Sequence, residues 1–260
     1  MADDSVSRET TPSAPAVARR VFPSARLPLA ERYAELLATD GVVRGLIGPR
    51  EAPRLWERHL VNCALLGDLI PEGATLCDLG SGAGLPGLVL AIARPDLRIT
   101  LVEPLLRRTT FLEEAVEKLG LSHVEVVRGR ADSLHGQRTF AVVTSRAVAP
   151  LDRLLGWSMP LVEPTGGLVA MKGSSIRDEI EAAAPVLREW GCGEPGVHIL
   201  GEGIVDPPTF ALRVAWADAT QVSWPLAASR GATRGSASGR KRGSQARRPG
   251  GRGAQGRRRS

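Results

Sequence analysis

Between Asp78 and Gly87 the chain reads Asp-Leu-Gly-Ser-Gly-Ala-Gly-Leu-Pro-Gly, and few folds accommodate such a run. A short apolar stretch, Ala74-Thr75-Leu76-Cys77, precedes it, and another, Leu88-Val89-Leu90-Ala91-Ile92-Ala93, follows. Strand, glycine turn and helix in that order give a Gly-x-Gly-x-x-Gly pattern its meaning. Gly80, Gly82 and Gly84 can take positive φ and let a ligand approach the backbone. The helix that follows is expected to turn its free N–H groups toward whatever occupies the turn. In such units an acidic residue about 20 positions further on holds a ribose. Glu103 stands there, at the end of the apolar run Ile99-Thr100-Leu101-Val102. A ligand site is therefore a better reading of these glycines than a tight structural turn.

Asp78 bears on which adenine-bearing ligand is bound. A carboxylate two residues before the first glycine would repel a pyrophosphate and suit a cationic ligand. S-adenosylmethionine carries an ammonium and a sulfonium, so Asp78 favours it over NAD. An NAD-dependent oxidoreductase also lacks a plausible hydride-site His or Tyr, since the one tyrosine, Tyr33, lies in the N-terminal helix. No Lys-Ser or Lys-Thr follows the loop, which excludes a triphosphate P-loop.

From Ala74 onward, strands are expected to alternate with helices, the signature of a parallel sheet. Strands are predicted at 74–79, 98–103, 124–127, 140–144 and 168–171. Helices are predicted after Gly87 and at 104–119, 151–161 and 175–190. The helix at 104–119 is expected to turn Leu105, Leu106, Thr109, Leu112, Val116 and Leu119 inward. The segments 196–200 and 210–216 read as a closing antiparallel pair, giving the seven-stranded α/β, Rossmann-like fold of S-adenosylmethionine-dependent methyltransferases. Upstream, a helix is predicted from Leu29 to Gly41 and another from Pro53 to Leu69. The second has His59 on its mostly apolar face, a place that suits a structural role or a packed partner of the site rather than a base.

The expected organisation is a disordered segment over 1–28, a helical cap over 29–72, the catalytic domain over 73–217 and a disordered tail over 218–260. The formal charge of +6 conceals an uneven distribution. Eleven Lys/Arg and no acid lie in 221–260, leaving 23 basic against 28 acidic side chains, a net charge of −5, over 1–220. Such a tail cannot bury enough surface to fold. It either grips RNA through counterion release or merely solubilises the chain. The three cysteines, Cys63, Cys77 and Cys192, are scattered without a Cys-x-x-Cys and read as reduced, buried small hydrophobes. The dispersed histidines give no expectation of a metal site. No apolar run is long enough for a membrane span, and no signal pattern opens the chain, so a cytoplasmic protein is expected; a monomer is the expected state, with oligomerisation left open by the sequence.

Ligands of open parallel sheets lie at the carboxyl ends of the strands. Asp78, Gly80, Gly82, Gly84 and Glu103 fall there, as do Arg130-Ala131-Asp132, Ser145-Arg146-Ala147 and Lys172-Gly173. Asp132 is either an acceptor for the adenine amino group or a helix N-cap. Arg146 and Lys172 are either solvated loop charges or part of a crevice for an anionic substrate such as RNA.

Taken together, Asp78 with Gly80-Ser81-Gly82-Ala83-Gly84-Leu85-Pro86-Gly87, Arg58-His59, Ser145-Arg146-Ala147 and Met171-Lys172-Gly173 resemble the ribosomal RNA small subunit methyltransferase G family, also called glucose-inhibited division protein B. The resemblance covers about Leu29 to Ala217. It implies methylation of guanine N7 in the 530 loop of 16S ribosomal RNA within the small ribosomal subunit, with S-adenosyl-L-methionine as donor. It also implies cofactor contacts at Gly80, Leu85, Ala131, Asp132 and Arg146, with Glu103 as ribose acceptor. Arg58, His59, Arg130 and Lys172 match family positions near the RNA or the acceptor base. Two departures stand out: Asn62-Cys63 replaces an Asp-Ser pair, and Thr209-Phe210 stands where the family often has a basic residue. N7 carries a free lone pair, so the lack of an obvious general base beside the loop suits this acceptor. The rival expectations are a methyltransferase of a small molecule or protein, and a non-catalytic RNA-binding protein that relies on its tail.

Overall fold

The computed structural model describes residues 13–224. Seven strands, β1 (Thr75–Leu79), β2 (Arg98–Glu103), β3 (Val124–Arg128), β4 (Phe140–Arg146), β5 (Val162–Lys172), β6 (Gly196–Leu200) and β7 (Thr209–Ala215), form one sheet in the order β3-β2-β1-β4-β5-β7-β6. β1 to β5 run parallel, and β7 is antiparallel to both β5 and β6. This is the expected α/β fold with its reversed closing pair. The strand order reverses between β1 and β4, so the crevice beyond their carboxyl ends is the topological switch point.

The central strands are buried on both faces because their side chains alternate between two cores. Leu76, Ile99, Leu101, Val142, Val169 and Ala211 belong to one. On that side pack α1 (Leu27–Leu36), α2 (Val61–Leu65), α3 (Gly87–Ala93) and α4 (Leu106–Leu119). Cys77, Leu79, Val102, Val143, Leu168, Leu212 and Val214 belong to the other, under α5 (Leu151–Ser158) and α6 (Ile176–Glu189). Among the described residues no helix is long and apolar enough to cross a membrane.

Several boundaries differ from expectation. β4 continues through Ser145 and Arg146, which pair with Ala170 and Met171 and so sit on the sheet rather than after it. β5 begins at Val162, six residues before the apolar run that announced it. Leu105 and Leu106 are 51% and 58% exposed rather than inward, because α4 starts only at Leu106 and its buried stripe begins at Thr109.

The upstream helices are interrupted. Leu37–Gly41 and Trp56–Leu60 are π-helical turns, the latter followed directly by α2 and the 3-10 turn Leu66–Leu69. π-Turns inside helices often accompany functional sites, and this one carries Arg58 and His59.

The expectation of disorder up to residue 28 is corrected for 13–28. There, 3-10 turns at Ala16–Arg20 and Ser24–Arg26 lead into α1. Ala18 and Phe22 are buried, and Phe22 meets the edge of Trp56 at 6.2 Å between ring centroids. The Arg26 guanidinium donates to the Ile92 carbonyl at 2.9 Å. A few apolar anchors outweigh the Ser- and Pro-rich composition around them. At the other end, Asp218 caps the 3-10 turn Ala219–Gln221. Residues 1–12 and 225–260, with the disorder expected there, lie outside the described residues.

Candidate active site

The glycine turn is held from three sides. Gly80 and Ser81 N–H groups donate to the Val102 carbonyl, and Gly82 N–H donates to Glu103 Oε2 at 3.0 Å. From the cap, the buried Tyr33 hydroxyl donates to the Ala83 carbonyl at 2.6 Å. Gly80, Gly82 and Gly84 all have positive φ, as the turn requires.

Asp78 has a different place from the one its charge suggested. It is fully buried behind the turn, its Oδ2 accepts from Gly87 N–H at 3.0 Å, and it does not line the cavity. The carboxylate thus takes up the first amide of α3, which does not point at a ligand as expected. Gly84 also lies behind the turn, against Leu88 and Tyr33. Both residues shape the cofactor loop from beneath, which corrects their assignment as direct contacts.

Asp78 Oδ1 has no hydrogen-bond partner, and burial pushes the carboxyl up to about 7 despite the Gly87 bond. A carboxyl raised in the folded state contributes stability below its ordinary value near 4 and loses it as pH rises toward 7. Asp78→Asn keeps an acceptor for Gly87 N–H and removes the charge. The native protein should therefore lose melting temperature relative to Asp78→Asn between about pH 4 and about pH 7. Parallel melting curves for the two proteins would contradict this.

Above the turn is a cavity of about 710 Å³, lined by Gly80, Gly82, Ala83, Leu85, Glu103, Ala131, Asp132 and Arg146 among others. That volume suits a cofactor-sized ligand. Glu103 is 1% exposed, accepts from Gly82 N–H and from Leu105 N–H at 3.1 Å, and forms an ion pair with Arg108 at 3.5 Å. Leu46, Ile47, Leu105 and Trp157 give the cavity apolar walls, which accounts for the exposure of Leu105. Asp132 is exposed within the 3-10 turn Ala131–Leu134, whose N-cap position is Arg130. The helix N-cap alternative for Asp132 therefore fails, and its carboxylate is free to face a ligand. Arg130 is exposed on the same rim.

A second cleft, of about 1240 Å³, adjoins the first. Arg54, Arg58, Asn62, Ser145, Lys172, Thr209 and Phe210 line it. His59, Arg146, Ala147 and Val148 line both cavities and so form the wall between them. Ala147 holds φ +52°, a conformation rare outside glycine, directly after Arg146 at the end of β4.

Arg146 reaches back into the cap. Its guanidinium donates to His59 Nδ1, to the Arg58 carbonyl at 3.4 Å and to Cys63 Sγ at 3.6 Å. His59 Nε2 meets Glu51 Oε2 at 3.0 Å, and Arg58 pairs with Glu51 Oε1 at 3.1 Å. Burial and then the Arg146 charge hold the imidazole below its ordinary value, against the pull of Glu51. His59 is thus a packed partner of the site, as its place on the apolar face implied.

Lys172 lines the outer cleft, which leaves the crevice reading of this residue and removes the other. Its side chain is 8% exposed, and Nζ donates to Glu179 at 2.6 Å and to the Ala149 carbonyl at 3.0 Å. It braces α6 and the segment after β4, keeping one N–H free for the cleft. It is not a solvated loop charge. Glu51, Arg108, Trp157 and the Tyr33 hydroxyl escaped the sequence reading. A signal for Glu51 existed: it stands two residues before Pro53 and about two helical turns before Arg58-His59.

Comparison with known proteins agrees with this arrangement. A family model described as rRNA small subunit methyltransferase G matches residues 26–190. The ribosomal RNA small subunit methyltransferase G of Nocardioides sp. is 68% identical, over 95% of this chain and 94% of that protein. Its counterpart from Streptomyces avermitilis is 58% identical over 78% of this chain and 85% of its own length. The glycine turn with its buried Asp78, the Glu103 floor and the Arg146 wall all lie within the matched region. This chain belongs to the rRNA small subunit methyltransferase G family.

Proposed function

We propose that the chain moves a methyl group from S-adenosyl-L-methionine to N7 of a guanine in the 530 loop of 16S ribosomal RNA, on the small ribosomal subunit. The observation that carries this reading is the wall shared by the two cavities. Of its four residues, His59 alone could act as a base, and both its ring nitrogens are engaged, by Glu51 and Arg146. An alcohol or amine acceptor would need its proton removed there, whereas guanine N7 presents a lone pair.

The inner cavity fits the cofactor. The Glu103 carboxylate has lone pairs left for ribose hydroxyls, the Leu105 and Ile47 walls suit the adenine faces, and Asp132 can accept from its amino group. When bound, S-adenosylmethionine supplies an electrophilic methyl on a positive sulfur. Guanine N7 would take that methyl with its own lone pair, the carbon–sulfur electrons staying on sulfur, so no residue of this chain would have to accept a proton. The protein holds the two reactants in line across the Arg146 wall, an orientation effect worth up to about 7–11 kcal/mol. The outer cleft, rimmed by Arg54 and Arg58, receives the RNA, and exposed Arg130 adds a phosphate contact beside the inner cavity.

Methyl transfer to isolated small ribosomal subunits tests the reading. Label from S-adenosylmethionine should enter the RNA and not the ribosomal proteins; label in protein, or transfer only to small molecules, would overturn it. Glu103→Gln removes the charge that strengthens the ribose bonds. It should weaken S-adenosylmethionine binding by about 10- to 100-fold in calorimetry while the fold persists. Unchanged affinity would remove Glu103 from the ribose site.

A further inference from the structure

Glu51 lies outside the matched glycine and strand-end motifs, on the segment before the 3-10 turn Ala52–Arg54, yet its two oxygens engage two residues of the outer cleft. Oε1 accepts from Arg58 at 3.1 Å, and Oε2 meets His59 Nε2 at 3.0 Å. An imidazole whose Nε2 carries the proton toward a carboxylate presents a lone pair at Nδ1. That lone pair is where the Arg146 guanidinium donates. The bonds therefore form a directed chain: carboxylate, imidazole, guanidinium, shared wall.

We propose that Glu51 is a positioning residue for methyl transfer: it fixes His59 as the Nε2–H tautomer and so holds the Arg146 guanidinium at the wall between cofactor and acceptor. This rests on the function proposed above and extends it to a residue that no motif carries. Each group packed around the imidazole fits the role. Arg146 from β4 and Arg58 from the same π-turn oppose a second proton on the ring, and Glu51 alone favours it. The neutral thiol of Cys63 in α2 holds another nitrogen of the same guanidinium. Burial and the Arg146 charge keep the ring below its ordinary value, so it is neutral at neutral pH. Acidification would place a proton on Nδ1, turn it into a donor facing Arg146, and release the guanidinium from the wall.

Two readouts on the full chain test the relay. The first is ¹⁵N NMR of the His59 imidazole, which needs neither cofactor nor RNA. It should show the Nε2–H tautomer, and in Glu51→Gln the titration midpoint should move to lower pH because the influence that raises it is gone. The second is the pH dependence of single-turnover transfer to small ribosomal subunits. Its acid limb should move to lower pH in Glu51→Gln. Glu51→Ala should lower kcat on the order of tenfold to a hundredfold, with KM for S-adenosylmethionine nearly unchanged. An Nδ1–H tautomer in the native protein, or an unmoved midpoint in folded Glu51→Gln, would overturn the relay. A native protein that shows the expected tautomer and shift but methylates no subunit would leave the relay standing and overturn the proposed function instead.

Discussion

Gly87→Ala should destabilise the protein by about 3 kcal/mol or more and abolish cofactor binding. A Cβ at this position would lie 2.3 Å from Leu101 Cδ2, 2.6 Å from Asp78 Oδ2 and 3.0 Å from Asp78 Cβ. Neither neighbour has room to retreat, since Leu101 and Asp78 are both fully buried between α3 and the sheet. Relief requires α3 to lift away from β1, which breaks the Gly87–Asp78 bond and leaves neither Asp78 oxygen with a partner. For a chain of this size the loss corresponds to a fall of about 10 °C in melting temperature. Gly156→Ala in α5 is the control: a Cβ there meets nothing within 4 Å, and its melting temperature should hold or rise. Equal melting temperatures for Gly87→Ala and the native protein would show that α3 and its strand do not pack as described.

Arg146→Ala is expected to lower turnover on the order of a hundredfold while the protein remains folded. Among the described residues, the guanidinium is the one charged group that borders both cavities and has no carboxylate partner of its own. Its removal leaves His59 Nδ1 without a donor, a cost of about 1–3 kcal/mol that a domain with two full cores can absorb. Arg146→Lys should recover little, because one ammonium cannot reach the imidazole, the Arg58 carbonyl and Cys63 in the geometry the planar fork achieves. Cofactor affinity separates the roles. If Arg146→Ala binds S-adenosylmethionine well but transfers slowly, the guanidinium acts on the approach of the acceptor. Full turnover in the alanine variant would remove Arg146 from the site.

The sheet was legible because its central strands are buried. Val142-Val143 and Ile99 to Val102 are apolar runs that only a two-sided core explains, and the glycine turn with Glu103 identified the end of the sheet that matters. What escaped was set by tertiary contacts that leave no periodic trace. Ala18 and Phe22 order a segment whose composition reads as disordered. Lys172 has the residue type of a phosphate ligand, and no periodicity shows that Glu179, one turn into α6, also makes it a brace of the cleft it lines. Asp78 has the residue type of a ligand contact, yet β1 places it beneath the turn, where it anchors α3. The position of each carboxylate, behind the loop for Asp78 and in the cavity for Glu103, depends on how far along its strand it stands. Asp78 aligns in register with Leu101, so Glu103 shares its face of the sheet but stands two residues nearer the carboxyl edge, beside the turn rather than beneath it.

In the proposed reaction two reactants meet across the Arg146 wall, with guanine N7 as the nucleophile because, among the described residues, no free base stands there. The most direct test is to incubate the full chain with labelled S-adenosylmethionine and small ribosomal subunits that lack this methylation, and then to map the modified base. A single N7-methylguanine in the 530 loop is the predicted result. Methyl groups on an exocyclic amine, a ribose hydroxyl or a protein side chain would contradict it, since each of those acceptors needs a proton removed at a wall where His59 is already engaged on both nitrogens.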